Sequence, residues 1–353
     1  MKKILALYDA DIIYATRLME YIKKLCWKDF NVLLFSKYDS LIDFLKYQPV
    51  EILLYGDDCS EDSLHEEIPK SNIKYIFHLC ENQKTKQDEI QRIFKYQSAG
   101  KIVSDIISIY TKLEDNNEGK TFDDVQIISL YPPVSGAEKI SFAWSLAKEL
   151  SDKRKVLLVS MELLPTDFIS KSDPNKYAMS EYLYFLKESC SDIVKKLKFY
   201  LSYSEKLSYL AGLTHGFDLL SLNREDAERF LKELREYKDY EIVVFYLGLY
   251  TEASMEILRR SNQIYILICD SPYEELVVKE WERQTKLAGI ETGKLRYHKI
   301  RLPSAESIIG KNCLPDQIYT AIRPFGKEAA DQLLNDERSS YELAEGKTSS
   351  GSP

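Results

Sequence analysis

Lys139 lies between a predicted strand and a predicted helix, in a setting typical of phosphate chemistry. Residues 125–130 form the apolar run of a buried parallel strand. In residues 143–150, apolar side chains recur at i, i+3, i+4 and i+7, which is one face of a helix. Gly136 lies in the connecting loop. A glycine and a lysine before a helix favour anion binding, because the free N–H groups of the helix and the lysine charge both attract phosphate.

The composition of this loop differs from the full phosphate-binding pattern, G-x-x-x-x-G-K-[ST]. Glu138 stands at a glycine position, and two like charges ~4 Å apart at an effective dielectric of 20 repel by roughly 4 kcal/mol. Ile140 replaces the hydroxyl residue that ligates Mg²⁺, and Ser141 lies one position later, about 100° around the helix. Gly136, Lys139 and Ser141 therefore form a degenerate phosphate loop, which is either a structural remnant or a weak, altered nucleotide site.

Acidic residues and a lysine follow the predicted strands of the first hundred residues. Asp9 and Asp11 come directly after the strand at 3–8, and Lys95 lies at the end of the fifth strand. Carboxylates at the edge of a sheet either hold a cation or are simply solvated, and both interpretations remain open.

The order and spacing of these residues resemble a response-regulator receiver domain. A receiver carries an acidic pair after its first strand, a phospho-accepting Asp at the end of the third and a lysine at the end of the fifth. By this resemblance Asp9 and Asp11 are the metal-binding pair, and Tyr55 or Gly56, depending on register, takes the place of the acceptor. Neither residue forms an acyl phosphate, and the acidic residues at 57–58 at most hold a cation. The resemblance therefore implies a pseudo-receiver.

Strands alternate with helices along both halves of the chain. Short apolar runs predict strands at 3–8, 31–36, 50–55, 73–80, 90–96, 125–130, 155–162, 241–250, 263–270 and 297–303. This alternation predicts open parallel sheets with helices on both faces. The predicted fold class is α/β, with two doubly wound parallel-sheet domains, the first receiver-like (flavodoxin-like) and the second like a P-loop NTPase.

One polar segment divides the chain. Residues 114–124 contain Asn, Gly and acidic residues without periodicity, which is typical of a linker. The prediction is a pseudo-receiver domain at 1–113, a degenerate P-loop domain at 125–335 and a flexible polar tail at 336–353.

Composition argues against several classes of function. The chain has 353 residues and a net charge of −8 without a basic stripe, so no nucleic-acid binding is predicted. No apolar run reaches the ~18 residues that a membrane span needs. The six cysteines are scattered and the four histidines isolated, which indicates reduced thiols and no zinc site. The opening residues are interpreted as a strand and not as a signal peptide, so a cytoplasmic protein is predicted.

The second domain resembles the ParA/MinD family of deviant Walker ATPases. Its supporting segments are LSYLAG at 207–212, FDLLSLNREDAERFL at 217–231 and YEIVVF at 240–245. Val134 stands where the family has the signature lysine that reaches the phosphates of the partner subunit. Tyr246 stands where a strand carries an Asp, and Glu162 is a displaced acid at the end of the strand at 155–162. With the missing loop glycines and Mg²⁺ hydroxyl, these departures imply that ATP is not hydrolysed.

A pseudo-receiver followed by such a domain resembles the CpaE/TadZ proteins, which help to place and assemble the tight-adherence (Flp-type, type IVb) pilus machinery of bacteria. The resemblance implies a non-catalytic scaffold or localisation factor for such a pilus or a related secretion system, with protein partners and no cofactor. Recruitment by partners to the inner face of the membrane or to a cell pole belongs to the same hypothesis. The alternative is a ParA/MinD-like switch in which ATP with Mg²⁺ binds at Gly136 and Lys139 and controls formation of a homodimer.

Residues 177–210 are rich in tyrosine and are predicted to be helical. The tyrosines are Tyr177, Tyr182, Tyr184, Tyr200, Tyr203 and Tyr209. They either pack in the core or form a partner surface, and the second interpretation predicts an apolar homodimer contact that does not depend on ATP.

Overall fold

The computed structural model describes residues 2–24, 30–58, 69–81, 91–114, 125–164, 178–187, 196–237, 239–288, 297–310 and 314–348. The chain divides into two compact units. Unit 1 comprises Met1–Gly119 and Tyr184–Tyr200, and unit 2 comprises Lys120–Leu183 and Leu201–Pro353. Residues 115–124 of the predicted linker lie outside the described residues, so the predicted domain limits stay predictions.

Unit 1 contains a five-stranded sheet whose strands all pair in parallel. The strands are β1 (Lys3–Tyr8), β2 (Phe30–Phe35), β3 (Val50–Gly56), β4 (Ile73–Cys80) and β5 (Gln91–Phe94). Their order is β2-β1-β3-β4-β5, the doubly wound order of flavodoxin-like sheets. The last four residues of β1 and the last five of β3 are all buried, as expected of central strands covered on both faces.

The described part of unit 1 places three helices next to these strands in sequence. They are α1 (Ile12–Lys24), α2 (Tyr38–Tyr47) and α3 (Ala99–Glu114). Leu41 and Leu45 of α2 are fully buried at i and i+4, and Val103 and Ile107 of α3 repeat the same spacing. Each helix therefore turns one apolar stripe inward, as the sequence predicts.

Unit 2 contains a seven-stranded sheet. The strands are β6 (Gln126–Tyr131), β7 (Val156–Met161), β8 (Ser202–Ser204), β9 (Leu207–Leu210), β10 (Ile242–Leu247), β11 (Gln263–Cys269) and β12 (Tyr297–Leu302). Their order is β12-β11-β6-β10-β7-β9-β8, and only the pair β8–β9 is antiparallel. Because β6 lies between β11 and β10, the loop that leaves β6 emerges near the middle of the carboxyl edge of the sheet.

The helices of unit 2 are α4 (Ala137–Ser151), α5 (Ala178–Lys187, shared with unit 1), α6 (Gly216–Leu220), α7 (Arg224–Tyr237), α8 (Glu252–Arg260), α9 (Pro272–Leu287), α10 (Ala305–Ile309) and α11 (Pro315–Thr348).

Helix α4, which follows the loop after β6, is buried on nearly all sides. A Cβ atom on Gly326 of α11 would lie 2.4 Å from Ser145 Oγ of α4. Ser145 Oγ also donates a hydrogen bond to the Arg323 carbonyl at 2.9 Å. The glycine lets α11 pack closely on α4, which fixes the helix behind the loop.

The predicted α/β fold class with two parallel-sheet units is confirmed. The prediction of helix across 177–210 is wrong at its end, because residues 202–210 form the β8–β9 hairpin. Hairpin side chains alternate between the two faces. Tyr203 is accordingly half-exposed and Tyr209 buried.

The tyrosines of this segment do not form one surface. Tyr182, Tyr200 and Tyr209 are buried, Tyr184 and Tyr203 are exposed, and Tyr177 lies outside the described residues. For the three buried tyrosines the core interpretation holds, because a buried ring is not available to a partner.

Several further helices differ from the sequence prediction. Helices α6, α8 and α10 were not predicted, and α11, which the sequence predicts over residues 325–334, begins at Pro315 and continues to Thr348, into the predicted flexible tail. The tail region contains strong helix formers such as Glu, Ala and Leu, which favour a helix there. None of the helices in the described ranges is long and apolar enough to cross a membrane.

Candidate functional site

The phosphate-loop region lies between the end of β6 and the start of α4. Gly136 is the N-cap of α4, with φ −172° and ψ 155°, an extended conformation that any residue adopts. Gly136 has no side chain with which to cap the helix. The N–H groups of Lys139 and Ile140 donate to the Gly136 carbonyl at 3.1 and 3.3 Å. Two N–H groups at the start of α4 are therefore bonded to the backbone.

Lys139 points into the protein interior and is fully buried. Its Nζ donates to the Val134 carbonyl at 2.7 Å and to Glu274 Oε1 at 2.7 Å. Glu138 Oε1 lies 3.9 Å from the same nitrogen. The lysine charge is thus neutralised by the chain itself.

Glu274 reaches Lys139 because it occupies the third position of α9, which starts with Ser271 as N-cap and Pro272 as the first residue. The sequence predicts this helix start from the Ser-Pro-x-Glu pattern. The carboxylate does not serve the cap alone. Its Oε2 accepts from the backbone N–H of Cys269 at 2.7 Å, while Oε1 accepts from Lys139. Glu274 therefore ties the end of β11 to the phosphate loop.

Glu138 folds back over the loop. A Cβ atom on Gly136 would lie 2.2 Å from Glu138 Oε1, so this carboxylate fills the space that the glycine leaves open. Cys269 Sγ donates to the same oxygen at 3.2 Å. Burial, followed by the hydrogen bond and charge of Glu138, raises the pKa of the Cys269 thiol to about 12. The thiol is therefore a neutral donor to Glu138.

The positions around the loop that would serve Mg²⁺ are also altered. Ser141 Oγ is fully buried, with no hydrogen-bond partner within the described ranges. Tyr246 of β10 is buried, and burial with the nearby charges of Glu162 and Glu138 raises its pKa far above the usual range. The described residues contain no group of three or more side chains suited to a metal ion.

Glu162 is the acid that remains at the end of β7. Ser160 Oγ donates to Glu162 Oε2 at 3.1 Å. Burial raises the pKa of the Glu162 carboxyl to about 7 despite this hydrogen bond. Since Glu138 fills the cradle and Lys139 is turned inward, the residues present do not fit ATP with Mg²⁺, and no reaction step follows from them.

A second lysine-centred site lies at the carboxyl edge of the sheet in unit 1. Lys95 Nζ donates to Asp9 Oδ1 at 2.8 Å, and both residues are buried. The same oxygen accepts from the Asp11 N–H at 2.9 Å. Burial lowers the pKa of Lys95, but the hydrogen bond and charge of Asp9 outweigh it, so the pKa of the amine is raised. Asp9 and Lys95 are brought together as the receiver resemblance implies.

The register of β1 and β3 shows which residue faces Asp9. Tyr8 pairs with Tyr55, so Gly56 lies next to Asp9. A Cβ atom on Gly56 would lie 2.6 Å from Asp9 Oδ2, a buried oxygen with no hydrogen-bond partner among the described atoms. Tyr55 instead stacks on His78, with ring centroids 4.8 Å apart. Of the two residues that the sequence left open, Gly56 is the one that lies beside Asp9.

Asp11 makes a different contact from Asp9. Asp11 is exposed, and its Oδ1 accepts from the Tyr14 N–H at 3.0 Å at the start of α1. This is the geometry of an N-cap. The structure therefore uses the two carboxylates of the predicted metal pair in different ways, one to hold Lys95 and one to begin a helix.

Sequence reasoning missed residues at both sites. Glu274 stands 135 positions after Lys139, and the sequence marks it only as the Glu of a helix-start pattern. At the other site His78 Nε2 lies 2.6 Å from Asp57 Oδ1, and Glu81 Oε1 lies 3.8 Å from Lys95 Nζ. The signal for all three is a polar residue at the carboxyl end of a parallel strand or the start of the next helix.

The chain is similar to several solved structures. A plasmid partition protein from Borrelia burgdorferi matches at 16% identity, with 57% of this chain and 97% of that chain covered and a TM-score of 0.42. A ParA family ATPase from Chlorobium tepidum matches at 12% identity, with coverages of 57% and 98% and a TM-score of 0.39. The cell division ATPase MinD of Pyrococcus furiosus matches at 14% identity, with coverages of 56% and 79% and a TM-score of 0.38.

No protein-family model matches the sequence. No curated protein matches it. The α/β fold described above rests on the strand order and register of the chain itself.

Proposed function

We propose that this chain is a non-catalytic scaffold in which a phosphate loop has become a structural element. The supporting observation is the buried ion pair between Lys139 and Glu274, with 2.7 Å between Nζ and Oε1. To bind a triphosphate, Lys139 would have to leave Glu274, which would then be a buried carboxylate without its cation. Breaking a buried pair costs about 3–5 kcal/mol. That cost is comparable to the whole free energy of millimolar binding, about 4 kcal/mol.

ATP turnover tests the non-catalytic part of the proposal. The purified chain with ATP and Mg²⁺ is expected to release phosphate at the rate of a buffer blank. The matched control is Lys139→Met/Glu274→Gln, which removes both charges of the pair while keeping the side-chain volumes. Turnover in the natural chain that disappears in this variant would contradict the proposal.

Sedimentation velocity separates the scaffold from the alternative, an ATP-dependent switch. The oligomeric state of the scaffold is expected to be the same with and without ATP and Mg²⁺, because nothing in the loop is free to bridge a nucleotide between subunits. A dimer that forms only when both are added, and that Lys139→Met/Glu274→Gln abolishes, would establish the switch instead.

The finer assignment within this proposal is the assembly of a tight-adherence pilus or a related secretion system. It rests on the resemblance of a receiver-like unit followed by a ParA/MinD-like unit to the CpaE/TadZ proteins. Under this assignment the partners are proteins of the pilus machine, which recruit the chain to the inner face of the membrane or to a cell pole.

Deletion of the gene, followed by complementation, tests the finer assignment. Cells without the chain are expected to lose surface pili, and both the natural chain and the Lys139→Met/Glu274→Gln variant are expected to restore them. Normal piliation in the deletion strain would contradict the pilus role. Rescue by the natural chain alone, with the variant folded and present at equal amounts, would contradict the non-catalytic role.

A further inference from the structure

Residues 184–200 belong to unit 1 although the residues on both sides of them in sequence belong to unit 2. The chain leaves unit 2 after Leu183 and returns to it at Leu201. Within this segment the structure describes residues 184–187 and 196–200. Unit 1 is therefore not a continuous N-terminal domain.

The described part of the segment is mostly apolar and buried. Its nearly inaccessible side chains are Phe185, Leu186, Leu197 and Tyr200. Phe199 packs edge-on against Tyr110 of α3, with ring centroids 6.2 Å apart. Tyr110 is itself a central contact of the unit, since its ring packs on Phe30 and Tyr75. Removing the segment would uncover the apolar side of α3, so the segment completes the core of unit 1.

A buried lysine anchors the segment. Lys196 is 1% exposed, and its Nζ donates to Ser104 Oγ of α3 at 3.0 Å. The same nitrogen lies 5.6 Å from the centroid of the Phe185 ring, in a cation–π contact. A buried amine depends strongly on its hydrogen-bond partners, because leaving one unmade costs the full desolvation of the group. The Lys196–Ser104 bond is thus a specific attachment of the segment to α3.

We propose that residues 184–187 and 196–200 act as a strap that holds helix α3 in place and covers Tyr110 in the apolar core of unit 1. Because the chain continues from both ends of the strap into unit 2, the stability of the first sheet depends on residues supplied by the second half of the chain.

Hydrogen–deuterium exchange on the full chain, read by mass spectrometry, tests the strap. Lys196→Met keeps the apolar stem but removes the donor to Ser104. We expect amides of α3 at 99–114 to exchange about 10- to 100-fold faster, as befits the loss of a hydrogen bond to a charged group. Peptides covering 126–131 and 242–247 of unit 2 are expected to keep their rates. Lys187→Met is the matched control, because Lys187 is an exposed lysine of the same segment, and no change is expected.

A second variant changes the other partner of the hydrogen bond between Lys196 and Ser104. Ser104→Ala removes the acceptor with little change of volume and is expected to accelerate the same α3 peptides. Ser104→Ala/Lys196→Met is expected to show less than the product of the two single effects, because the two residues act through one bond. Unchanged α3 exchange in both single variants, or equal acceleration in both units, would overturn the strap.

Discussion

Each unit contains one buried lysine that pairs with a carboxylate, and the two pairs differ in where the carboxylate comes from. In unit 1, Lys95 pairs with Asp9, which directly follows β1 and lies beside Gly56. In unit 2, Lys139 pairs with Glu274, which is 135 positions away in sequence and not part of a phosphate-loop motif. The first pair lies beside a glycine, whereas the second has a further carboxylate, Glu138, 3.9 Å from the lysine nitrogen.

This difference shows that a retained lysine says little about function until its partner is known. Lys95 pairs with Asp9, as the receiver resemblance implies. Lys139 has the place in sequence that a phosphate loop would give it, but it lies at the centre of an internal ion pair. Both lysines are engaged inside the fold, and Glu138 lies beside the second one.

The largest expected effect comes from breaking the pair in unit 2. Glu274→Ala leaves the fully buried Lys139 without its carboxylate and is expected to lower the free energy of unfolding by about 3–5 kcal/mol. Lys139→Met/Glu274→Gln is expected to be close to neutral, because no unpaired charge remains. Chemical denaturation measures both.

The control for that substitution is an exposed pair on the same helix. Glu280 and Arg283 are both about half exposed, so Glu280→Ala is expected to change the free energy of unfolding little. If Glu274→Ala costs no more than Glu280→Ala, Lys139 has another means of neutralisation and the comparison between the two sites fails.

The equivalent substitution in unit 1 is expected to cost a similar amount. Asp9→Ala removes the main partner of Lys95, and Glu81, 3.8 Å from Nζ, remains as a second carboxylate, as Glu138 does at 3.9 Å from Lys139. A loss of about 3 kcal/mol is expected in denaturation. Asp9→Ala/Glu81→Gln should then cost more than Asp9→Ala alone. Equal stability of the single and double variants would show that Glu81 does not support Lys95.

Glu162 makes the stability of unit 2 depend on pH. Its pKa is raised from 4.5 to about 7, so the folded state holds this proton more tightly than the unfolded chain. The stabilisation is fully present below pH 4.5 and is lost as the pH rises through about 7. Across this window the natural chain is expected to lose about 3 kcal/mol relative to Glu162→Gln. If the difference in free energy of unfolding between the two chains is the same at every pH, the raised pKa of Glu162 is contradicted.

Replacing Gly56 and Gly136 by alanine is expected to give the smallest changes in stability. In Gly56→Ala the new Cβ meets the buried Asp9 Oδ2 at 2.6 Å and must displace it, which is expected to cost about 1–2 kcal/mol. In Gly136→Ala the clash is with the end of the Glu138 side chain, which can swing away, and a change within about 0.5 kcal/mol is expected. The reverse order in thermal or chemical denaturation would mean that the Glu138 side chain is held as firmly as Asp9.

Sequence patterns identified most strands and both lysines, because apolar periodicity and residues at strand ends are local features. They left Tyr55 and Gly56 undecided, since a single-residue register is set by pairing between β1 and β3. They also missed the role of Glu274, because its partner is distant in sequence and a Glu at that position is explained by helix capping alone. The helix predicted over 177–210 failed for the same reason, as the hairpin at its end is fixed by pairing of β9 with β7.

The central claim, that the phosphate loop of unit 2 is filled by the chain itself, is tested most directly by calorimetric titration with ATP and Mg²⁺. We expect no saturable heat for the natural chain at nucleotide concentrations up to about 1 mM, which corresponds to less than about 4 kcal/mol of binding free energy. Glu138→Gly removes the carboxylate beside the loop but leaves Lys139 paired with Glu274. This variant is likewise expected to show no saturable heat with ATP and Mg²⁺ up to about 1 mM. Saturable, Mg²⁺-dependent binding to the natural chain in the micromolar range, abolished by Lys139→Met, would contradict the claim.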